Sequence, residues 1–188
     1  MIIGCKESNL TIAGQSIRLK ELDIVKFNGN QKGGQYNFDI PQSNYHVQQV
    51  APGVSGYYYE RITNTKSAYG EYREFFKNGK VKQEGLFFFQ FMIGIHKIYD
   101  EKGKLINKID FDKQFPFSVE NLIKKIKTKY KIDINDPSKN ISVARPTIPA
   151  PHYEIVIELE DGSALQQWLE IDGVTGLVLS DTTRIPKG

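Results

Sequence analysis

The chain has 188 residues, a net charge of +3, 39% hydrophobic and 25% charged residues, and one cysteine. One sulfur excludes an intramolecular disulfide and a thiolate zinc site, no apolar run reaches the roughly 18 residues of a membrane-spanning helix, and so small a charge excess gives no electrostatic footprint for nucleic acid. Ten Tyr and eleven Phe favour strands over helices.

In chain order, residues 1–9 form a polar tether. "LTIAGQSIRL" places Ile12 and Ile17 on either side of Ala13-Gly14, the pattern of a hairpin turn. "LDIVKF" continues as a strand to a turn at Asn28-Gly29, and residues 28–56, rich in Gly, Asn, Gln and Ser, are expected to be mostly loop. Residues 10–56 therefore form a β-rich segment with loops. Gly53-Val54-Ser55-Gly56 falls near the nucleophile elbow of hydrolases but has Tyr57 where the last glycine is required.

Residues 57–113 are aromatic and repetitive. Asn78-Gly79-Lys80-Val81 recurs 24 residues later as Lys102-Gly103-Lys104-Leu105; at that spacing Gly70 falls on Gly94, Phe75 on Tyr99 and Phe87 on Phe111. Each unit reads as strand, glycine-cornered turn, strand, and such hairpins must stack to bury a shared face. Strand alternation assigns Phe87, Phe89 and Phe91 to one face and Phe88 to the other. Phe88 then either meets a second layer, with helix 118–130 as the candidate, or stays exposed. Tyr57, Tyr58 and Tyr59 pose the same alternative.

In residues 114–188, Ser118 is a helix N-cap, followed by Val119, Leu122, Ile123, Ile126 and Tyr130 at helical spacing. Lys124, Lys125, Lys127, Lys129 and Lys131 occupy the other side: a solvated face, or a site for phosphate or an acidic protein. Four prolines from Pro137 to Pro151 forbid a long helix. "YEIVIELEDG" then turns at Asp161-Gly162, and two more strands flank Asp172 to Gly176. The fold class is α+β: a mostly antiparallel sheet of hairpin repeats, with a C-terminal unit of helix and β-hairpin.

Sites of chemistry are weakly signalled. His46, His96 and His152 lack ligand spacing for zinc. Asp133, Asn135 and Asp136 suggest a calcium loop, but Ser138 replaces the required Gly and Ala144 the required Glu. Asp110 with Asp112, and Glu158 with Glu160, alternate as acids do on the wet side of a strand. Cys5 has no base near it in sequence to make it a nucleophile. Neither a catalytic residue, a metal nor a cofactor is assigned. A partner surface is read instead on Tyr57, Tyr58, Tyr59, Phe88, Phe91, Lys124, Lys125 and Lys127, because aromatic rings bury much area with few rotors.

Three resemblances add to this reading. "GEYREFFKNGKVKQEG" and "GIHKIYDEKGKLINKI" look like MORN-type repeats, in the variant found in YwqK-family antitoxin and immunity proteins, whose unit runs roughly G-x-x-x-x-Y/F-x-x-x-G-K-L-x-x-x-G. Gly70, Phe75, Gly79, Lys80, Val81 and Gly85 fit the first copy. Gly94, Tyr99, Gly103, Lys104 and Leu105 fit the second, which has Ile109 in place of its last glycine. The resemblance covers about a quarter of the chain. It implies a non-enzymatic immunity protein whose partner is a secreted toxin or effector. Ile2-Ile3-Gly4-Cys5 resembles a bacterial lipobox, which implies an acyl anchor on Cys5, membrane attachment and a periplasmic location; the plain alternative is an N-terminus of a cytoplasmic protein. With the lipobox, the toxin is a periplasm-acting hydrolase such as a type VI secretion effector. The alternative function is an envelope lipoprotein of structural or binding role without a toxin partner. Asp172, Thr175, Gly176 and Val178 are similar to a turn of PepSY-type domains.

Overall fold

The computed structural model describes residues 11–12, 15–16, 21–159 and 165–185. Cys5 and the lipobox-like segment, Ile17, the turns at Ala13-Gly14 and Asp161-Gly162, and Glu160 lie outside the described residues. The fold is α+β and mostly antiparallel. Strands β1 (Thr11–Ile12) and β2 (Gln15–Ser16) pair with each other. A seven-stranded sheet runs in sequence order through β3 (Gln35–Asp39), β4 (Tyr45–Val50), β5 (Tyr58–Asn64), β6 (Ser67–Phe75), β7 (Val81–Phe88), β8 (Phe91–Tyr99) and β9 (Leu105–Asp110). A four-stranded sheet follows, with β10 (Ile141–Ala144), β11 (His152–Glu158), β12 (Gln166–Asp172) and β13 (Val178–Arg184), again in sequence order.

Two segments depart from the sequence reading. "LDIVKF" is not a strand: α1 spans Ile24–Asn30. Asp23 caps it, its side chain accepting from the Lys26 N–H at 2.9 Å, and the flanking Leu22 and Phe27 are both buried at the positions of a hydrophobic staple. Replacing Asp23 with alanine is expected to remove about 1 kcal/mol of stability, read from the urea midpoint; an unchanged midpoint would mean that α1 is not held by its cap. Residues 28–56, expected as loop, contain the end of α1 and two paired strands. Their amide and acidic side chains (Gln35, Asn37, Asp39) alternate with half-buried Tyr36 and Phe38, so polarity masked a period of two.

The turns after β6 and β8 share their hydrogen bonds. Gly79 N–H donates to Phe76 O and Phe76 N–H to Lys80 O, both at 2.9 Å; Gly103 N–H donates to Asp100 O at 2.9 Å and Asp100 N–H to Lys104 O at 3.0 Å. Both glycines have positive φ, +84° and +82°, where a side chain is strained. Each turn adjoins a register shift, between Glu74 and Phe75 in the first case and Ile98 and Tyr99 in the second.

Alternation gives the large sheet two unlike faces. Tyr58, Glu60 and Ile62 of β5 point inward with Val47, Gln49 and Phe75, their direct neighbours on β4 and β6. Phe27 of α1 meets Tyr58 edge-on at 5.3 Å, which places α1 on this inner face. A row of opposed residues crosses it: Gln49, Glu60, Arg73, Glu84, Lys97 and Lys108. Glu60 is 2% exposed and accepts from Gln49 Nε2 at 2.7 Å and Arg73 Nη1 at 3.2 Å. A slip of one residue would turn Glu60 to the outer face and strip Gln49 and Arg73 of their shared acceptor, so the row specifies register.

The other end of the inner face is closed by helix α2 (Val119–Tyr130) and the four-stranded sheet. Ser118 caps the helix, accepting from Asn121 N–H, and Val119, Leu122 and Ile126 are buried. They join Phe88 and Ile93 of the large sheet and Tyr153, Ile155, Leu169 and Ile171 of the small one in a single core. The small sheet has one strand more than expected. β10 lies between Pro137 and Pro146, where an edge strand of four residues fits without breaking a ladder.

Arg145 pins the two sheets together. Its Nη1 donates to Asp112 Oδ1 at 2.5 Å, and its Nη2 to the carbonyls of Met92 and Phe111. The guanidinium lies 4.9 Å from the Phe91 ring and 4.5 Å from the Phe115 ring. Asp112 does not share a strand face with Asp110 as expected. β9 ends at Asp110, and Asp112 turns to Arg145 and accepts from Gly94 N–H at 2.8 Å.

Candidate functional site

The eight residues read as a partner surface do not form one surface. Tyr57 and Tyr59 sit on the outer face of the large sheet, and Tyr59 is 36% exposed. Tyr58 points to the inner face against Phe27. Phe88 is fully buried in the core beside α2 and is not available to a partner. Phe91 is half-buried against Phe88 and Arg145. Phe88 and Phe91 are directly opposed across β7 and β8 and so share a face, whereas simple alternation separated them. Phe89 and Gln90 form a two-residue turn with Phe89 at φ +52°, and the turn resets the period. Phe87 stays on the outer face, apart from Phe89 and Phe91.

Lys124, Lys125 and Lys127 lie on α2, across the sheet from the tyrosines. The structure therefore defines two candidate surfaces.

Among the described residues, neither helix nor the four-stranded sheet packs on the outer face of β5–β8, since Phe27 of α1 and the buried sides of α2 and the small sheet meet the inner one. Tyr57, Tyr59, Arg61, Tyr72, Glu74, Lys82 and Phe87 make up its centre. Lys82 Nζ lies 3.6 Å from the Tyr57 ring centroid and donates to Glu74 Oε2 at 2.8 Å; Tyr72 Oη donates to Glu74 Oε1 at 2.7 Å. Burial, and this bond to a carboxylate, push the Tyr72 phenol well above its usual range, so it stays a neutral donor. The Arg61 guanidinium covers the Phe87 ring at 4.1 Å and donates to Gln90 Oε1 and Phe89 O. Phe87 lies flat because its direct neighbour across the strands is Gly70, where an added Cβ would come within 2.2 Å of the ring. These contacts leave rings and charged heads locked in place before any partner arrives, which lowers the entropy cost of binding. Arg61, Tyr72, Lys82 and Glu74 were not singled out from sequence. The signal available was Arg61 two residues after Tyr59, hence on its face.

The second surface is α2 with the turn between β12 and β13. Lys124, Lys127 and Lys129 are exposed and Lys125 half-buried; Lys127 donates to Asp133 Oδ2 at 2.6 Å. Lys131 is the C-cap, with φ +61°. Asn121, Lys124, Lys125, Thr128 and Lys129 line a shallow depression of about 370 Å³ that ends on Phe117. In the turn, Asp172 Oδ1 accepts from Val174 N–H, Thr175 N–H and Thr175 Oγ1, which holds its carboxyl below the usual range.

The histidines have separate surroundings. His46 Nδ1 meets Asp39 at 2.7 Å. His96 is buried against Gly85. His152 bonds to Ala150 O at 2.7 Å and Glu154 Oε1 at 3.2 Å, and the carbonyl first, then the carboxylate, raise its pKa. Among the described residues no group of three or more His, Cys, Asp or Glu side chains converges in a way that would hold a metal ion. No helix of the described residues is long and apolar enough to cross a membrane. No family model, no curated protein and no solved structure matches the chain.

Proposed function

We propose that the protein is a binding module that seats a partner protein on the outer face of its seven-stranded sheet, and that it acts as an immunity protein against a secreted bacterial toxin. The observation that carries the binding reading is the preorganised patch of Tyr57, Tyr59, Arg61, Tyr72 and Lys82 on a sheet face over which no described helix packs. Aromatic and arginine side chains are the usual anchors of protein interfaces. The toxin reading rests on the likeness to MORN-type units of YwqK-family proteins. The matching turn geometry at Gly79 and Gly103 supports repeating hairpins of that kind. On this reading the protein works by occupying the toxin's active site, with Cys5 as an acyl anchor that keeps it in the periplasm.

Co-purification with the product of the adjacent gene tests the proposal. Tyr59→Ala and Arg61→Ala are each expected to weaken that complex about 10- to 30-fold with little change in the melting temperature of Tyr59→Ala. Capture of the partner with undiminished affinity by both variants would move the interface elsewhere. The second reading, an envelope lipoprotein without a toxin partner, would be favoured by lipidation of Cys5 in the native protein together with no complex with the neighbouring product.

A further inference from the structure

The lysine face of α2 has an apolar neighbour that the sequence did not reveal. Phe117, at the end of the lysine-lined depression, lies against Gly176, where an added Cβ would come within 2.3 Å of the ring. Phe117 N–H also donates to Gly173 O at 3.0 Å. The turn between β12 and β13 is thereby fastened beside the first turn of α2. At the other end of the helix, Tyr130 Oη donates to Asp181 Oδ2 at 2.9 Å, so β13 runs alongside α2. On this turn and strand Val174, Leu177 and Leu179 are 50%, 64% and 56% exposed. Three apolar side chains more than half bare thus stand on the turn and the strand that flank the lysine-bearing helix.

We propose that Lys124, Lys125 and Lys129 with Val174, Leu177 and Leu179 form a docking surface for an anionic lipid bilayer. The lysines meet headgroup phosphates, and the leucines enter the boundary between headgroups and acyl chains. One feature favours a bilayer over an acidic protein. The apolar residues project from a turn and an edge strand, as wedges do, and do not line a groove that a peptide would fill. Lys127, the lysine already neutralised by Asp133, is not needed for the surface. Asp172 and Asp181 stay ionised, held below the usual carboxylate range by hydrogen bonds from Thr175 and Val174 and from Gln167 and Tyr130, so they offset part of the lysine charge and the apolar contacts carry part of the binding. The surface lies on the opposite side of the large sheet from the tyrosine patch, so membrane and protein partner are engaged together.

The test uses the full chain with Cys5→Ser, so that no acyl group contributes, in co-sedimentation with vesicles of phosphatidylcholine alone and of equal parts phosphatidylcholine and phosphatidylglycerol. Binding is expected only to the anionic vesicles and to fall with added salt. Lys124→Gln with Lys125→Gln is expected to weaken it about 25-fold, about fivefold for each lysine. Leu177→Ser with Leu179→Ser is expected to weaken it at least tenfold without lowering the melting temperature, since both leucines are already exposed. Equal binding to both vesicle types, or to neither, overturns the proposal. Undiminished binding by the leucine pair overturns it in favour of an acidic protein partner.

Discussion

Replacing Arg145 with alanine is expected to cost about 2–4 kcal/mol of folding stability, since it removes the donor to two carbonyls and a cation held between two aromatic rings. The Arg145 side chain is 5% exposed. Alanine there leaves the carbonyls of Met92 and Phe111 without their donor and takes the cation from between the Phe91 and Phe115 rings. Asp112 suffers less: it is 38% exposed and keeps the Gly94 N–H. Most of the loss therefore falls on the backbone of β8 and the residues after β9, where they meet the C-terminal sheet. Arg145→Lys is expected to recover only part of it, because one ammonium cannot serve a carboxylate and two carbonyls in the plane that a guanidinium spans. Urea unfolding of the three proteins measures both effects. An alanine variant within 1 kcal/mol of the parent would show that the sheets are held by the shared apolar core alone.

Arg145 also illustrates what could be read from the chain and what could not. Helix α2 was legible because its cap and its apolar spacing are local: Ser118, then Val119, Leu122 and Ile126 at intervals of three and four. The turns at Gly79 and Gly103 were legible for the same reason, since a glycine between polar residues marks a positive φ. Arg145 sits in a proline-rich stretch with no periodicity, and its partners are 33 to 53 residues away. Nothing adjacent to it announces them.

Short elements were ambiguous in a different way. "LDIVKF" satisfies a period of two at Leu22 and Ile24 and a helical period at Ile24 and Phe27, and only the Asp23 cap decides. The phenylalanine run failed where the turn at Phe89-Gln90 carries no Gly, Asn or Pro to mark it. The candidate surfaces were half legible. Tyr57 and Tyr59 share a face by alternation alone. That no described helix lies on this face follows from where α1, α2 and the second sheet come to rest, which depends on contacts distant in sequence. The same holds for Lys124 and Leu177, which lie 53 residues apart in sequence and meet through Phe117 and Gly176.

A fall in stability below pH 6.5 that disappears in His96→Gln is the second large effect expected. The His96 ring is fully buried and rests on Gly85, where an added Cβ would lie 2.0 Å from Cδ2. In the Nε2–H tautomer it donates to Leu86 O at 2.9 Å, and Nδ1 accepts from Gln83 Nε2 at 3.1 Å, with the Phe111 ring 4.7 Å away. Both nitrogens are thus satisfied only when the ring is neutral. Burial lowers its pKa, outweighing the Leu86 carbonyl and the Asp112 charge, which both act to raise it. The folded protein therefore takes up this proton at a lower pH than the unfolded chain, whose value is about 6.5. The contribution is whole above pH 6.5 and is lost as pH falls from there through the depressed native value. His152, whose pKa is raised, acts in the opposite direction but is present in both proteins and cancels in the comparison. Gly85→Ala should displace the ring, at a cost of about 1–3 kcal/mol, and abolish the same pH dependence. Urea midpoints of the three proteins between pH 5 and 8 decide the matter: parallel curves for the parent and His96→Gln would mean that the buried imidazole does not titrate with folding.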